Sequence, residues 1–200
     1  MTAEATGAGP QAEGAAKAGQ QAERRAEGAA EAGQQTGCRT APGQITVRPM
    51  TEADLSAVAA LEAATFSMPW SADGFAAALL RPDTVFLVAC GEGLLGYAGV
   101  YCTADEGEIT NVAVAEDARR RGVGRMLLEA LRARLGAQGI DRIVLEVRVS
   151  NTAAIRLYET CGFTIAGTRR GFYERPVEDA YVMVCEPSVP YGKESVSSLQ

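Results

Sequence analysis

Val123, Leu127, Leu131 and Leu135 recur every four residues, and that spacing predicts an amphipathic helix over 122–136. An apolar, β-branched run precedes it at Glu108–Val114, and another follows at Arg142–Val149; both read as strands. Strand, helix, strand is the unit that most restricts the fold. A helical crossover between two strands of one sheet sets them parallel, and a parallel pair must be covered by helices.

The remaining segments extend that sheet. Ile45–Met50 is a short strand stopped by Pro49. Thr51 and Asp54 have the spacing of a capping box, and Leu55, Val58, Ala59 and Glu62 continue at helical intervals. Ser71 is placed to cap a second helix running to Leu80. Thr84–Cys90 and Leu94–Tyr101 form a hairpin about Gly91-Glu92-Gly93. Thr152–Cys161 is a helix stopped by Gly162, and Phe163–Thr168 and Ala180–Cys185 are closing strands. The order β-α-α-β-β-β-α-β-α-β-β describes a mixed α/β sheet that starts antiparallel, gains parallel crossovers and carries helices on both faces.

That domain spans about 44–187. Residues 1–43 are an Ala/Gly/Glu/Gln block without Leu, Val, Ile, Phe or Trp, and they repeat AEGAAKAGQQ from Ala12 as AEGAAEAGQQ from Ala26. Such a stretch buries too little apolar surface to offset its ordering entropy, so a disordered tail is expected there, and a loose one at 188–200. The formal net charge of -6 argues against nucleic acid as a partner and suits a basic peptide. With no apolar span and no secretory leader, a cytoplasmic protein away from membranes is expected, as a monomer or weak oligomer. The five cysteines form no C-x-x-C pair and are expected as reduced, mostly buried thiols. Without a single histidine, a Cys/His zinc site and the Ser-His-Asp and Cys-His arrangements are excluded, and no metal is expected.

The turn between the strand and the helix carries the clearest chemistry. Arg119, Arg120 and Arg121 precede Gly122-Val123-Gly124-Arg125 at the helix entrance. Free amides and the positive end of the helix dipole favour an anion there, glycines allow close approach, and arginines add forked donors. A Walker loop lacks its Lys-Ser/Thr, and a Rossmann fingerprint lacks its third glycine because Leu stands at 127. A plain turn with solvated arginines is the alternative on this segment alone.

Arg119-x-x-Gly122-x-Gly124, the strand Ile109–Val114 before it and the block Leu145–Phe163 after it together resemble the GNAT superfamily of N-acetyltransferases. Within it the chain is similar to the ribosomal-protein alanine N-acetyltransferases, over about 45–186. The resemblance implies the GNAT fold and acetyl-CoA as co-substrate. It places the pyrophosphate on Arg119, Arg120, Arg121, Gly122, Val123, Gly124 and Arg125. It runs the pantetheine arm along Val112, Ala113 and Val114 and sets Asn151 against the cofactor, a position that also suits a helix cap.

The same resemblance implies Glu146 as proton acceptor and Tyr158 as proton donor. From position alone, Glu146 reads equally as a salt-bridged strand carboxylate and Tyr158 as a core aromatic. Trp70 either lines the acceptor groove or fills core. Tyr173, in an Arg-Arg-Gly-Phe-Tyr segment where Phe172 replaces the family's first Tyr, is expected near the acceptor. The implied reaction moves acetyl to a protein N-terminal α-amine, expected to be the alanine of small-subunit ribosomal protein eighteen. A lysine or small-molecule amine as acceptor, and a non-catalytic acyl-CoA-binding module, are the alternatives.

Overall fold

The computed structural model describes Gly37, Cys38, Thr40, Ala41 and residues 43–187. The repeat-bearing tail through residue 36 and the stretch from 188 onward lie outside the described residues.

The eleven elements expected from sequence form in the expected order. They are β1 (Thr46–Pro49), α1 (Leu55–Thr65), α2 (Ala72–Leu79), β2 (Thr84–Cys90), β3 (Leu94–Thr103), β4 (Glu106–Val114), α3 (Val123–Ala137), β5 (Arg142–Arg148), α4 (Thr152–Thr160), β6 (Thr164–Glu174) and β7 (Val177–Cys185). Single 3₁₀ turns at Glu52–Asp54 and Glu116–Ala118 lead toward α1 and α3. Local chemistry sets the boundaries. The Asp54 carboxylate accepts from the Thr51 amide at 2.9 Å and is clamped by Arg48 at 2.7 Å. Ser71 Oγ accepts from the Gly74 amide at 3.1 Å, which starts α2.

One seven-stranded sheet has the order β1-β2-β3-β4-β5-β7-β6. Its parallel contact is the β4–β5 pair, so a single crossover through α3 is parallel where several were expected. β7 inserts between β5 and β6 and pairs antiparallel with both. The β6–β7 hairpin is longer than expected, because its outer half is mostly exposed and carries little apolar signal.

Strand alternation divides the core in two. Val85, Leu87 and Ala89 of β2 turn to one face with Leu127, Leu128, Leu131 and Leu135 of α3 and Ala154 and Tyr158 of α4. Phe86, Val88 and Cys90 turn to the other, against Val58 of α1 and Phe75 and Ala78 of α2. Helices therefore cover both faces, as expected.

Two expectations need correcting at the N-terminal side. Cys38 is buried, and the Thr40 amide donates to Gly91 O at 3.1 Å, so packed chain reaches upstream of residue 44. The five cysteines are not all thiols either. Cys38 and Cys90 are joined by a disulfide, with Cα atoms 4.9 Å apart, while Cys102, Cys161 and Cys185 are free. The pairing spans 52 residues, so no local spacing announced it. The segment before β1 runs back past the end of β2 and brings the two sulfurs together.

Candidate active site

β4 and β5 pair over a short stretch, Glu106–Glu108 against Arg142–Val144, and then separate. β4 stays with β3 through Val114, but the register slips at Thr110, so Gly99 faces Asn111 while Val100 faces Ile109. A bulge of this kind bends the strand and increases its twist. The outcome is a sheet that opens between Val112–Val114 on one side and the second half of β5 on the other.

The arginine-glycine turn lies at the end of β4. Gly122 precedes α3 with φ +82°, and Arg120 also has a positive φ of 60°. A side chain at Gly122 would meet nothing within 4 Å, yet the backbone conformation itself selects glycine. Gly124 matters for a different reason: a Cβ there would approach Leu157 Cδ2 to 2.9 Å, so glycine leaves room for that α4 side chain without its having to shift. The first amides of a fifteen-residue helix thus stand at an open, glycine-lined turn. Arg120 and Arg121 are exposed beside it, and Arg119 Nε donates to Val114 O at 3.4 Å. Arg125 reaches along the helix and pairs with Glu129 at 2.7 Å. This donor set fits a pyrophosphate.

On β5, Glu146 and Arg148 share a face, and both are buried. Glu146 Oε1 accepts from Arg169 of β6 at 2.8 Å, while Oε2 is buried with no hydrogen-bond partner among the described residues. Burial pushes this carboxyl above its ordinary range; Arg169 opposes the shift, and Glu108 and Glu106 add to it. Arg148 ties β5 to the β6–β7 hairpin. Its guanidinium donates to Pro176 O at 3.1 Å and Arg175 O at 3.0 Å, pairs with Glu178 at 3.0 Å, and lies 4.0 Å from the centre of the Tyr173 ring. Tyr173 is accordingly buried, held from below by a cation.

Tyr158 projects from α4 into the core, fully buried, with its ring 5.8 Å from that of Phe163. Its hydroxyl has no hydrogen-bond partner among the described residues, and burial keeps the phenol protonated far above its ordinary range. Asn151 Oδ1 accepts from the Ala154 amide at 3.2 Å and caps α4. Trp70 is half-buried in an aromatic group with Phe75, Phe86 and Tyr101, at 5.4, 6.3 and 6.2 Å.

Sequence reasoning missed a second buried carboxylate. Glu62 of α1 is 0% exposed, and it accepts from Asn111 Nδ2 at 2.9 Å, the Trp70 amide at 3.3 Å and the Tyr97 hydroxyl. Burial raises its pKa to about 7, with the Tyr97 and Trp70 bonds opposing. The signal was present: a glutamate one turn after Val58, on the buried stripe of its helix. Arg169 and Asn111 gave no signal, since their partners lie on distant elements, β5 and α1.

Comparison with known proteins agrees with this architecture. Residues 55–163 match the acetyltransferase (GNAT) family. The chain is 36% identical over 140 residues to the ribosomal protein bS18-alanine N-acetyltransferase of Salmonella typhimurium, covering 69% of this chain and 95% of that one. It is also 36% identical over 148 residues to the N-alpha-acetyltransferase RimI of Mycobacterium tuberculosis, covering 70% and 90%. The crystal structure of the ribosomal-protein-S18-alanine N-acetyltransferase from Escherichia coli superposes with a TM-score of 0.67 at 33% identity, covering 76% of this chain and 99% of that one. No helix among the described residues is long and apolar enough to cross a membrane. An opened mixed sheet with a glycine turn at its mouth, matched by relatives over nearly their whole length, makes this chain a member of the acetyltransferase (GNAT) family.

Proposed function

We propose that the chain transfers acetyl from acetyl-CoA to a protein N-terminal α-amine, with the N-terminal alanine of ribosomal protein bS18 as acceptor. The observation that carries this reading is the 36% identity to a bS18-alanine N-acetyltransferase across 95% of that enzyme. Bound acetyl-CoA supplies an acetyl group activated as a thioester. The backbone at Gly122, Val123 and Gly124 holds the pyrophosphate, with Arg119, Arg120, Arg121 and Arg125 supplying charge. The open edge of β4 at Val112, Ala113 and Val114 takes the pantetheine arm, and Asn151 bonds it from the start of α4.

Glu146 takes the proton that the acceptor amine must lose. Its unpartnered Oε2 is the accepting atom, and Arg169 on Oε1 fixes the carboxylate's orientation. An α-amine titrates near 7.7–8.0, so a carboxylate with a raised pKa suffices as base. Tyr158 is the matching donor: buried, protonated and without another hydrogen-bond acceptor, it gives its proton to the departing thiolate. Trp70 and Tyr173 border the acceptor.

Two peptides test the reading. One begins with alanine and carries the basic sequence that follows in bS18; the other is the same peptide, N-terminally blocked, with a lysine. Label from acetyl-CoA is expected on the free α-amine of the first. Labelling of the blocked peptide alone would reject the assignment in favour of a lysine acetyltransferase.

A further inference from the structure

Glu62 is a carboxyl side chain on the buried face of a helix, and it takes part in neither the proton transfers nor the cofactor turn. Its three partners come from three places in the chain. Tyr97 is on β3. Asn111 is on β4, directly after the bulge at Thr110 and directly before Val112–Val114. Trp70 contributes its backbone amide from the α1–α2 connection, beside the aromatic group that includes its own ring.

An apolar residue at position 62 would leave an amide, a carboxamide and a phenol without their acceptor in the core. Each buried donor so orphaned costs more than the net gain of an ordinary hydrogen bond. That explains why a polar acceptor is there. It does not explain why one acceptor joins these particular elements. Asn111 sits where β4 has left β5, so across the opening it has no ladder partner on β5. On that stretch the strand is held by β3 on one edge, by Val112 buried in the core on the α3 side, and by Glu62 from the opposite face. The same carboxylate oxygen, Oε1, accepts from both Asn111 and Trp70. The cofactor strand and the acceptor-side connection are therefore referenced to one atom.

We propose that Glu62 is a positioning residue for acetyl transfer, holding the Trp70 connection and the opened end of β4 in one fixed relation so that acceptor and thioester meet. The inference rests on the acetyl-transfer reading above. It predicts a defect in acceptor binding that a neutral acceptor of the same shape repairs. Glutamine keeps an oxygen for Asn111 and Trp70 and presents Nε2 to the Tyr97 hydroxyl, which then accepts.

Steady-state kinetics at saturating acetyl-CoA, with the alanine-starting peptide varied, tests it. Glu62→Ala is expected to raise peptide KM about tenfold or more, the equivalent of about 1.4 kcal/mol, with kcat within about threefold. Glu62→Gln is expected to bring KM back to within about threefold of the parent. Should Glu62→Ala fail to fold, Asn111→Ala severs the strand side alone and is expected to raise peptide KM by a similar factor. A folded Glu62→Ala or Asn111→Ala protein with parental KM overturns the proposal, as does a glutamine variant as impaired as alanine. A parent chain that acetylates no N-terminal peptide would instead sink the reading on which it rests.

Discussion

Replacing Tyr158 by phenylalanine removes one oxygen and leaves the ring. In this structure that oxygen is fully buried, the ring packs edge-on against Phe163, and the hydroxyl has no hydrogen-bond partner among the described residues. A buried hydroxyl left unbonded costs about 1–3 kcal/mol. Tyr158→Phe is therefore expected to stabilise the ligand-free protein by about 1 kcal/mol or more, and a chain of this size gains about 2–4 °C in Tm per kcal/mol. The same substitution is expected to lower turnover by about 10²–10⁴ with coenzyme A binding retained, because the oxygen is the proposed donor. Tyr97 supplies the control. It is buried to the same extent, but its hydroxyl is bonded to Glu62, so Tyr97→Phe is expected to destabilise by about 1.5–3 kcal/mol. Thermal unfolding followed by circular dichroism, without ligand, reads both. A Tyr158→Phe protein that melts below the parent would show that the hydroxyl does have a partner. Parental turnover in that variant would remove Tyr158 from the chemistry.

Glu62→Gln tests the electrostatics of the buried carboxylate. Its folded pKa of about 7 stands above the ordinary 4.5, so the native state holds a proton that the unfolded chain has released. Stability contributed at this site is intact below pH 4.5 and falls as pH rises toward 7. At 1.36 kcal/mol per pH unit the full loss is about 3 kcal/mol. Urea titrations from pH 4.5 to 8 should show glutamine increasingly favoured over glutamate as pH rises, in a chain with no histidine to obscure the window. A difference that is flat, or that grows toward acid, refutes this. Arg169→Met removes the cation that opposes the raised pKa of Glu146 and leaves Glu108 and Glu106 facing it. The acid limb of kcat/KM is expected to move to higher pH; a shift to lower pH would contradict Glu146 as the base. Thiol titration of the denatured, unreduced chain is expected to find Cys102, Cys161 and Cys185, and all five cysteines after reduction. Five without reduction would disprove the Cys38–Cys90 bond.

Every regular element was legible in the sequence, because each depends on a few consecutive residues. The four-residue recurrence from Val123 to Leu135 specifies a helix with one buried stripe, and the β-branched run Thr84–Cys90 specifies a strand. The glycines at 122 and 124 were legible as a glycine-lined helix entrance, a local pattern, whereas the room that Gly124 leaves for Leu157 of α4 was set by tertiary packing. Glu146 and Tyr158 stood out only through the family resemblance. By itself the sequence gives no reason to prefer a base over a strand carboxylate.

Tertiary structure decided the rest. The insertion of β7 between β5 and β6 places Arg169 beside Glu146, although they stand 23 positions apart in the chain. Glu62 meets Tyr97 and Asn111 at separations of 35 and 49 residues, and Cys38 meets Cys90 across 52. Such meetings are settled by which strands pair and in what register, and register is chosen by burying both faces of the whole sheet at once. Local periodicity tells each segment which way its side chains point; it carries no information about which distant side chain will be waiting there.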